Sequence, residues 1–198
     1  MHRIILASKS PRRKKLLEQI GFTFEVIPSH AEENPTKSTP EEVVCELAEL
    51  KATEVAASQP GCFIIGSDTI VEHEGEILGK PATPEEAKTT LKRLSETTHR
   101  VYTGVSFVKT DKNAEITGYH SFYEQTKVTF SALGEEEIDA YVKKGHPMDK
   151  AGAYGIQDDL GAIFVEKIEG DYYNVVGFPI NRFFRELKHF YPELATLS

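Results

Sequence analysis

The stretch FIIGSDTIVEHEGEILGKP, Phe63 to Pro81, decides how this chain is read. With Cys62 in front of it, the run from Cys62 to Ser67 is apolar and small, which predicts a buried strand. Val71 and Glu72, then Glu76 to Leu78, flank His73-Glu74-Gly75 and predict a hairpin. Asp68 stands inside the apolar run, at the predicted strand end, where open α/β sheets place their ligands. An Asx turn or a helix cap is the structural alternative, but no helix signal begins at Asp68.

Working outward, Ile4 to Ala7 reads as a strand and Ser8 to Pro11 as a turn. Ser10 is then the N-cap of a helix with Pro11 at its first position, Leu16, Leu17 and Ile20 facing inward, and an end near Gly21. Phe24 to Ile27 suits a second strand, and Ser29 to Thr39 is a polar loop. Thr39 with Glu42 makes a capping box for a long helix running to about Gln59. Downstream, Thr83 caps a helix over Pro84–Leu94. Strands over 101–108 and 119–130 enclose a hairpin loop, 110–118. A helix over 135–144, a strand over 161–168 and a helix over 178–190 complete the order, the last with Phe183, Phe184 and Leu187 as its apolar face. The mixture predicts an α/β fold, a mixed twisted sheet with flanking helices. Residues 1–198 read as one domain, with a second lobe around 83–145.

Of the 198 residues 39% are hydrophobic and 27% charged, values that suit a globular chain long enough to bury a core. The net charge of −8 argues against duplex DNA or an anionic membrane as partner. A local basic cluster or a metal would still admit an anionic small molecule. Cys45 and Cys62 are too few for a disulfide framework or a thiolate zinc site. Lys9, Arg12, Arg13, Lys14 and Lys15 follow the short N-terminal apolar run, unlike a secretory leader, and no stretch approaches membrane-spanning length. The expectation is a soluble, cytoplasmic protein.

Several segments carry residues suited to chemistry. In ASKSPRRKK, helix N–H groups, the hydroxyls of Ser8 and Ser10, and Arg12 and Arg13 are the parts of a phosphate site; a capped helix with solvated basic residues is the alternative. Lys51 falls on the apolar stripe of Val44, Leu47, Ala48 and Val55, where a lysine either snorkels or meets an anion. GEILGKP is not a phosphate loop: three residues separate its glycines and Pro81 stands where Ser or Thr is required, leaving Lys80 as a turn lysine. In PMDKAGAYGIQ, Gly152 and Gly155 permit close backbone approach, and the Gln157 amide both donates and accepts. Asp68, with Glu32 and Glu33 after the second strand, offers oxygen ligands near basic groups, a set that suits Mg²⁺ or Mn²⁺ bridging to phosphate. No paired histidines, GxSxG elbow or GxGxxG fingerprint occurs.

In order along the chain, LASKSPRRKKLL, the glutamates 32–33, LAELKA, IIGSDTIV, LGKP, PMDKAGAYGIQ and GDYYNVVGFP resemble the Maf family, also called septum formation protein Maf homologues. Each piece is weak alone and specific in combination. The resemblance implies two lobes around a central cleft, as in the ITPase-like folds. It implies a nucleoside triphosphate pyrophosphatase that yields a monophosphate and pyrophosphate with a divalent cation, Mg²⁺ or Mn²⁺. It also implies a homodimer without stable nucleic-acid or membrane partners. Carried over by position, Asp68 is the proton acceptor, and Ser8, Arg13, Glu33, Lys51 and Lys80 are conserved site residues; Asp68 and Glu33 are the expected metal ligands. Arg12, Thr69 and Gln157 match the members acting on dTTP and UTP. Members acting on 7-methyl-GTP carry Trp, Gln and Glu there. A nucleotide-sensing regulator of cell division that binds without turnover is the alternative from another class.

Overall fold

The computed structural model describes residues 3–158 and 160–195. Its sheet has seven strands: β1 (Arg3–Leu6), β2 (Glu25–Val26), β3 (Cys62–His73), β4 (Glu76–Leu78), β5 (Thr98–Thr110), β6 (Ile116–Phe130) and β7 (Val165–Glu169). The order is β2-β1-β3-β5-β6-β7, with β4 paired to β3. β1 runs parallel to β2 and to β3, while β3–β4 and β6–β7 are antiparallel. The helices are α1 (Pro11–Gln19), α2 (Pro40–Ala56), α3 (Pro84–Leu94), α4 (Glu135–Lys143), α5 (Gly161–Phe164), α6 (Tyr172–Val176) and α7 (Ile180–Phe190). This is the mixed α/β fold expected. By compactness the chain divides into one unit of residues 1–68, 103–124 and 177–198, and a second of 69–102 and 125–176.

In the first unit the pleat of β3 sorts its side chains. Cys62 and Ile64 join Ala52, Val55 and Ala56 of α2, together with Ile5, Ala7 and Val108, in one buried cluster. Phe63, on the opposite face, meets Phe107 at 5.3 Å, and Phe107 meets Phe183 of α7 at 5.6 Å. Gly66 continues the series that faces α2. A Cβ there would lie 2.1 Å from the Ala48 carbonyl oxygen, and one on Gly104 of β5 would lie 2.2 Å from that of Val44. The backbone of α2 therefore rests directly on two glycines, an approach no side chain would allow.

Local rules explain the helix starts. Ser10, Thr39 and Thr83 accept from the backbone N–H of Arg13, Glu42 and Glu86, and each precedes a proline at the first turn. The expected hairpin forms, with His73 opposite Glu76. Glu74 (φ 54°) and Gly75 (φ 83°) supply the two left-handed residues of a tight two-residue turn.

In the second unit the core is aromatic and partly polar. His99, Phe130 and Tyr154 pack edge to face, and Tyr141 meets Phe164 at 5.1 Å. Gly152 (φ 67°) donates its N–H to the Gly79 carbonyl (3.1 Å) and leaves no room for a Cβ against Val71.

Three expectations need correction. β3 does not stop at Ser67; it continues to His73, pairing with β1 through residues 62–65 and with β4 through 71–73, while β5 is its other neighbour. Residues 161–168 are not all strand: the Ala162 N–H reaches back to the Asp158 carbonyl, making the helical turn α5 before β7 begins. α2 ends at Ala56, with Ser58 and Gln59 already in turns.

Candidate active site

Asp68 lies within β3, between the residues that pair with β1 and those that pair with β4, on the face turned to α2 by the period of the strand. Gly66, two residues earlier, is where α2 comes closest, at Ala48 and Ala52. Lys51 lies between those two in sequence, and its ammonium reaches Asp68 Oδ1 at 2.5 Å and Glu33 Oε1 at 2.9 Å. The side chains of Lys51 and Asp68 are 12% and 11% exposed, that of Glu33 47%. Lys51 thus neither snorkels nor stands unpaired: it joins the acid of the strand to the acid of the loop after β2.

The turn from β1 into α1 contributes a buried cation. Arg13 donates from Nε to the Gly177 carbonyl (3.0 Å) and from Nη1 to Ser8 Oγ (3.1 Å). Ser8 Oγ also accepts from the Ser10 N–H, and Ser10 Oγ from the Arg13 N–H. Both hydroxyls are therefore used in shaping the turn. Burial pushes the Arg13 guanidinium below its ordinary value; Asp68 and Glu33 oppose that shift and Arg12 adds to it. Arg13 thus feels the charges of Arg12, Glu33 and Asp68, and Lys51 bridges the two acids.

Ser8, Arg12, Arg13, Glu33, Lys51 and Asp68 come together in the first unit. Thr69, half-buried, begins the second. Lys80 and Gln157 also belong to the second, and both are exposed. Lys80 follows Gly79, whose carbonyl holds the turn at Gly152, and that turn leads on to Gln157.

Sequence reasoning missed the support around Gln157. Its Nε2 donates to Asp158 Oδ1 (3.2 Å), and Asp158 Oδ2 accepts from Tyr141 (2.9 Å) and pairs with Lys150 (3.2 Å). It also missed the buried Glu72, which accepts from the Gly75 N–H and from Arg100. Tyr141 gave no signal, since it reads only as an apolar position of α4.

No group of three or more His, Cys, Asp or Glu side chains suited to a metal occurs among the described residues. Two carboxylates, Asp68 and Glu33, do stand on one ammonium. That donor set fits a hard cation of the Mg²⁺ kind, which takes one or two carboxylates and completes its shell with water and substrate phosphate. No described helix is long and apolar enough to cross a membrane.

A mixed sheet carrying acids on a strand and a loop, opposed by an arginine from a strand–helix turn, matches a known class: the chain belongs to the family of Maf-like proteins, whose model matches residues 3–190. Over 191 residues it is 53% identical to the dTTP/UTP pyrophosphatase of Bacillus thuringiensis subsp. konkukian, with 96% of each chain covered. The dTTP/UTP pyrophosphatase of Bacillus anthracis is similar to the same extent. Among solved structures, a HAM1 protein from Coxiella burnetii aligns with 67% of this chain and 75% of its own, at 20% identity and a TM-score of 0.46.

Proposed function

We propose that this chain is a nucleoside triphosphate pyrophosphatase that hydrolyses dTTP and UTP, and modified pyrimidine nucleotides of the same ring type, to the monophosphate and pyrophosphate. The observation that carries the reading is the joining of Asp68 and Glu33 through Lys51, beside the buried Arg13. Relatives at 53% identity over 96% of the chain that bear the name dTTP/UTP pyrophosphatase support it.

Asp68 accepts a proton from the water that attacks the α-phosphorus. The bond from that phosphorus to the bridging oxygen breaks, and pyrophosphate leaves. Arg13 and Lys51, with Lys80, hold the phosphate oxygens and stabilise the negative charge that gathers on the leaving group. Substrate binding turns Lys51 from its two carboxylates toward phosphate, which leaves Asp68 and Glu33 as the residues that would hold Mg²⁺ or Mn²⁺. When bound, the cation neutralises phosphate charge and lowers the pKa of water. Ser8 keeps Arg13 in place, and Arg12, Thr69 and Gln157 select the base.

Pyrophosphate release from a panel of nucleoside triphosphates, with Mg²⁺ or Mn²⁺, tests this. The expected result is preferred turnover of dTTP and UTP. Binding without turnover, or preference for 7-methyl-GTP, would overturn it. The homodimer and the cytoplasmic location belong to the same proposal. Gel filtration and cell fractionation test them.

A further inference from the structure

The loop after the short helical turns at 146–153 holds a carboxylate fixed on several sides. Asp158 Oδ2 accepts from the Tyr141 hydroxyl at 2.9 Å and pairs with the Lys150 ammonium at 3.2 Å. The Tyr141 oxygen accepts in turn from the Gly155 N–H at 3.0 Å. Its single proton is therefore committed to Asp158. Burial, then the charge of Asp158, raises the Tyr141 pKa, which keeps that proton in place. The backbone agrees: the Asp158 N–H bonds the Gly155 carbonyl, and the Asp158 carbonyl accepts from Ala162. A Cβ on Gly155 would lie 2.6 Å from Asp158 Oδ2 and 2.7 Å from Lys150 Cε, so the group is packed as well as bonded.

The other oxygen, Oδ1, accepts from Gln157 Nε2 at 3.2 Å. A carboxylate offers only acceptors, so the NH₂ end of the Gln157 amide must face it. The amide is planar, and its carbonyl oxygen then points away from Asp158. Gln157 is exposed, so that oxygen is presented outward as an acceptor.

We propose that Asp158 is a positioning residue for base selection: it holds the Gln157 amide with its oxygen outward, as the acceptor for the N3–H of a uracil or thymine ring. This rests on the pyrophosphatase reading and on Gln157 meeting the base. It explains chemically how one amide separates two pyrimidines. Cytosine carries a bare acceptor at N3, and two acceptors facing each other leave both unsatisfied.

The test measures kcat/KM for UTP, CTP and N3-methyl-UTP, with the unaltered protein and with Asp158→Asn. The unaltered protein should favour UTP over both others by about tenfold or more, chiefly through KM. In Asp158→Asn the new side-chain oxygen stays with Tyr141 and Lys150, so its NH₂ faces Gln157 and turns that amide over. The ratio of UTP to CTP should then fall by about tenfold, while Asp158→Glu, which keeps a carboxylate, should retain most of it. A folded Asp158→Asn protein with the unaltered ratio would overturn the proposal. If that variant does not fold, the methylated substrate decides: equal turnover of UTP and N3-methyl-UTP rejects an outward acceptor. Failure of the unaltered protein to turn over any triphosphate would instead reject the enzyme reading, and this inference with it.

Discussion

Two lysines in this molecule sit in almost the same electrostatic setting. Lys51 holds Asp68 at 2.5 Å and Glu33 at 2.9 Å; Lys150 holds Asp149 at 2.7 Å and Asp158 at 3.2 Å. Each lysine side chain is little exposed, and each pairs with one little-exposed and one exposed carboxylate. The surroundings differ. Arg12 and Arg13 join Lys51, so cations outnumber the two carboxylates and the first group has positive charge to offer an anion. Around Lys150 the carboxylates outnumber the lysine, and Tyr141, the NH₂ end of Gln157 and the space at Gly155 are already committed. A buried ion pair alone therefore does not mark a site. The excess charge and the groups that remain to be satisfied do.

The largest expected effect breaks the comparison at its aspartates. Asp68→Asn keeps an oxygen for Lys51 but loses the proton acceptor, so kcat for UTP should fall about 10²–10⁴-fold with the fold retained by circular dichroism. The same change at Asp158 should act on base preference and far less on kcat. Equal losses of kcat from the two variants would erase the distinction between the groups.

Next come the lysines themselves. Lys51→Met and Lys150→Met each strip a little-exposed aspartate of its cation, and each should cost about 3 kcal/mol in urea unfolding. Their activities should separate: kcat/KM for UTP should drop at least about tenfold further in Lys51→Met, because of the two only Lys51 is proposed to meet substrate phosphate. Gly155→Ala probes the packing of the second group alone. With Asp158 and Lys150 both pinned, the added methyl should cost about 1–3 kcal/mol, and an unchanged melting temperature would show that the loop yields.

How much of this could be read beforehand follows from the range of the interactions. The caps at Ser10, Thr39 and Thr83 were legible because a cap is decided within four residues. Lys51 was legible as a charge on an apolar stripe, and Asp68 as a charge in an apolar run. The continuation of β3 to His73 was not, because it rests on pairing with distant strands, β1 giving way to β4 and β5 lying beside them, and such pairing leaves no local mark. Arg13 could be named, but not its acceptor at Gly177, 164 residues away. Gly66 was part of the motif, yet its reason is an α2 backbone resting on it, a contact between distant segments. Tyr141 and Asp158 were silent for the same reason.

The smallest effect concerns a buried histidine away from both lysines. His99 is fully buried, and its Nε2 shares a hydrogen bond with the Tyr154 hydroxyl at 2.8 Å. Nδ1 has no hydrogen-bond partner among the described residues. Burial, with a lesser push from His73, lowers its pKa to about 3. The unfolded chain returns it to about 6.5. Between these values the unfolded state binds the proton and the folded state does not. The contribution of His99 is therefore complete above pH 6.5 and is lost as pH falls toward 3, at about 1.4 kcal/mol per pH unit. Urea unfolding at pH 7.5 and 5.5 spans a window above the carboxylate range, and stability should drop by about 1.4 kcal/mol across it from this residue. His99→Leu should be less stable at both pH values, because Tyr154 loses its partner, but flatter between them. A variant with the same drop as the unaltered protein would place the titrating group elsewhere, and would remove the contrast between lysines held by carboxylates and a histidine held by a hydroxyl.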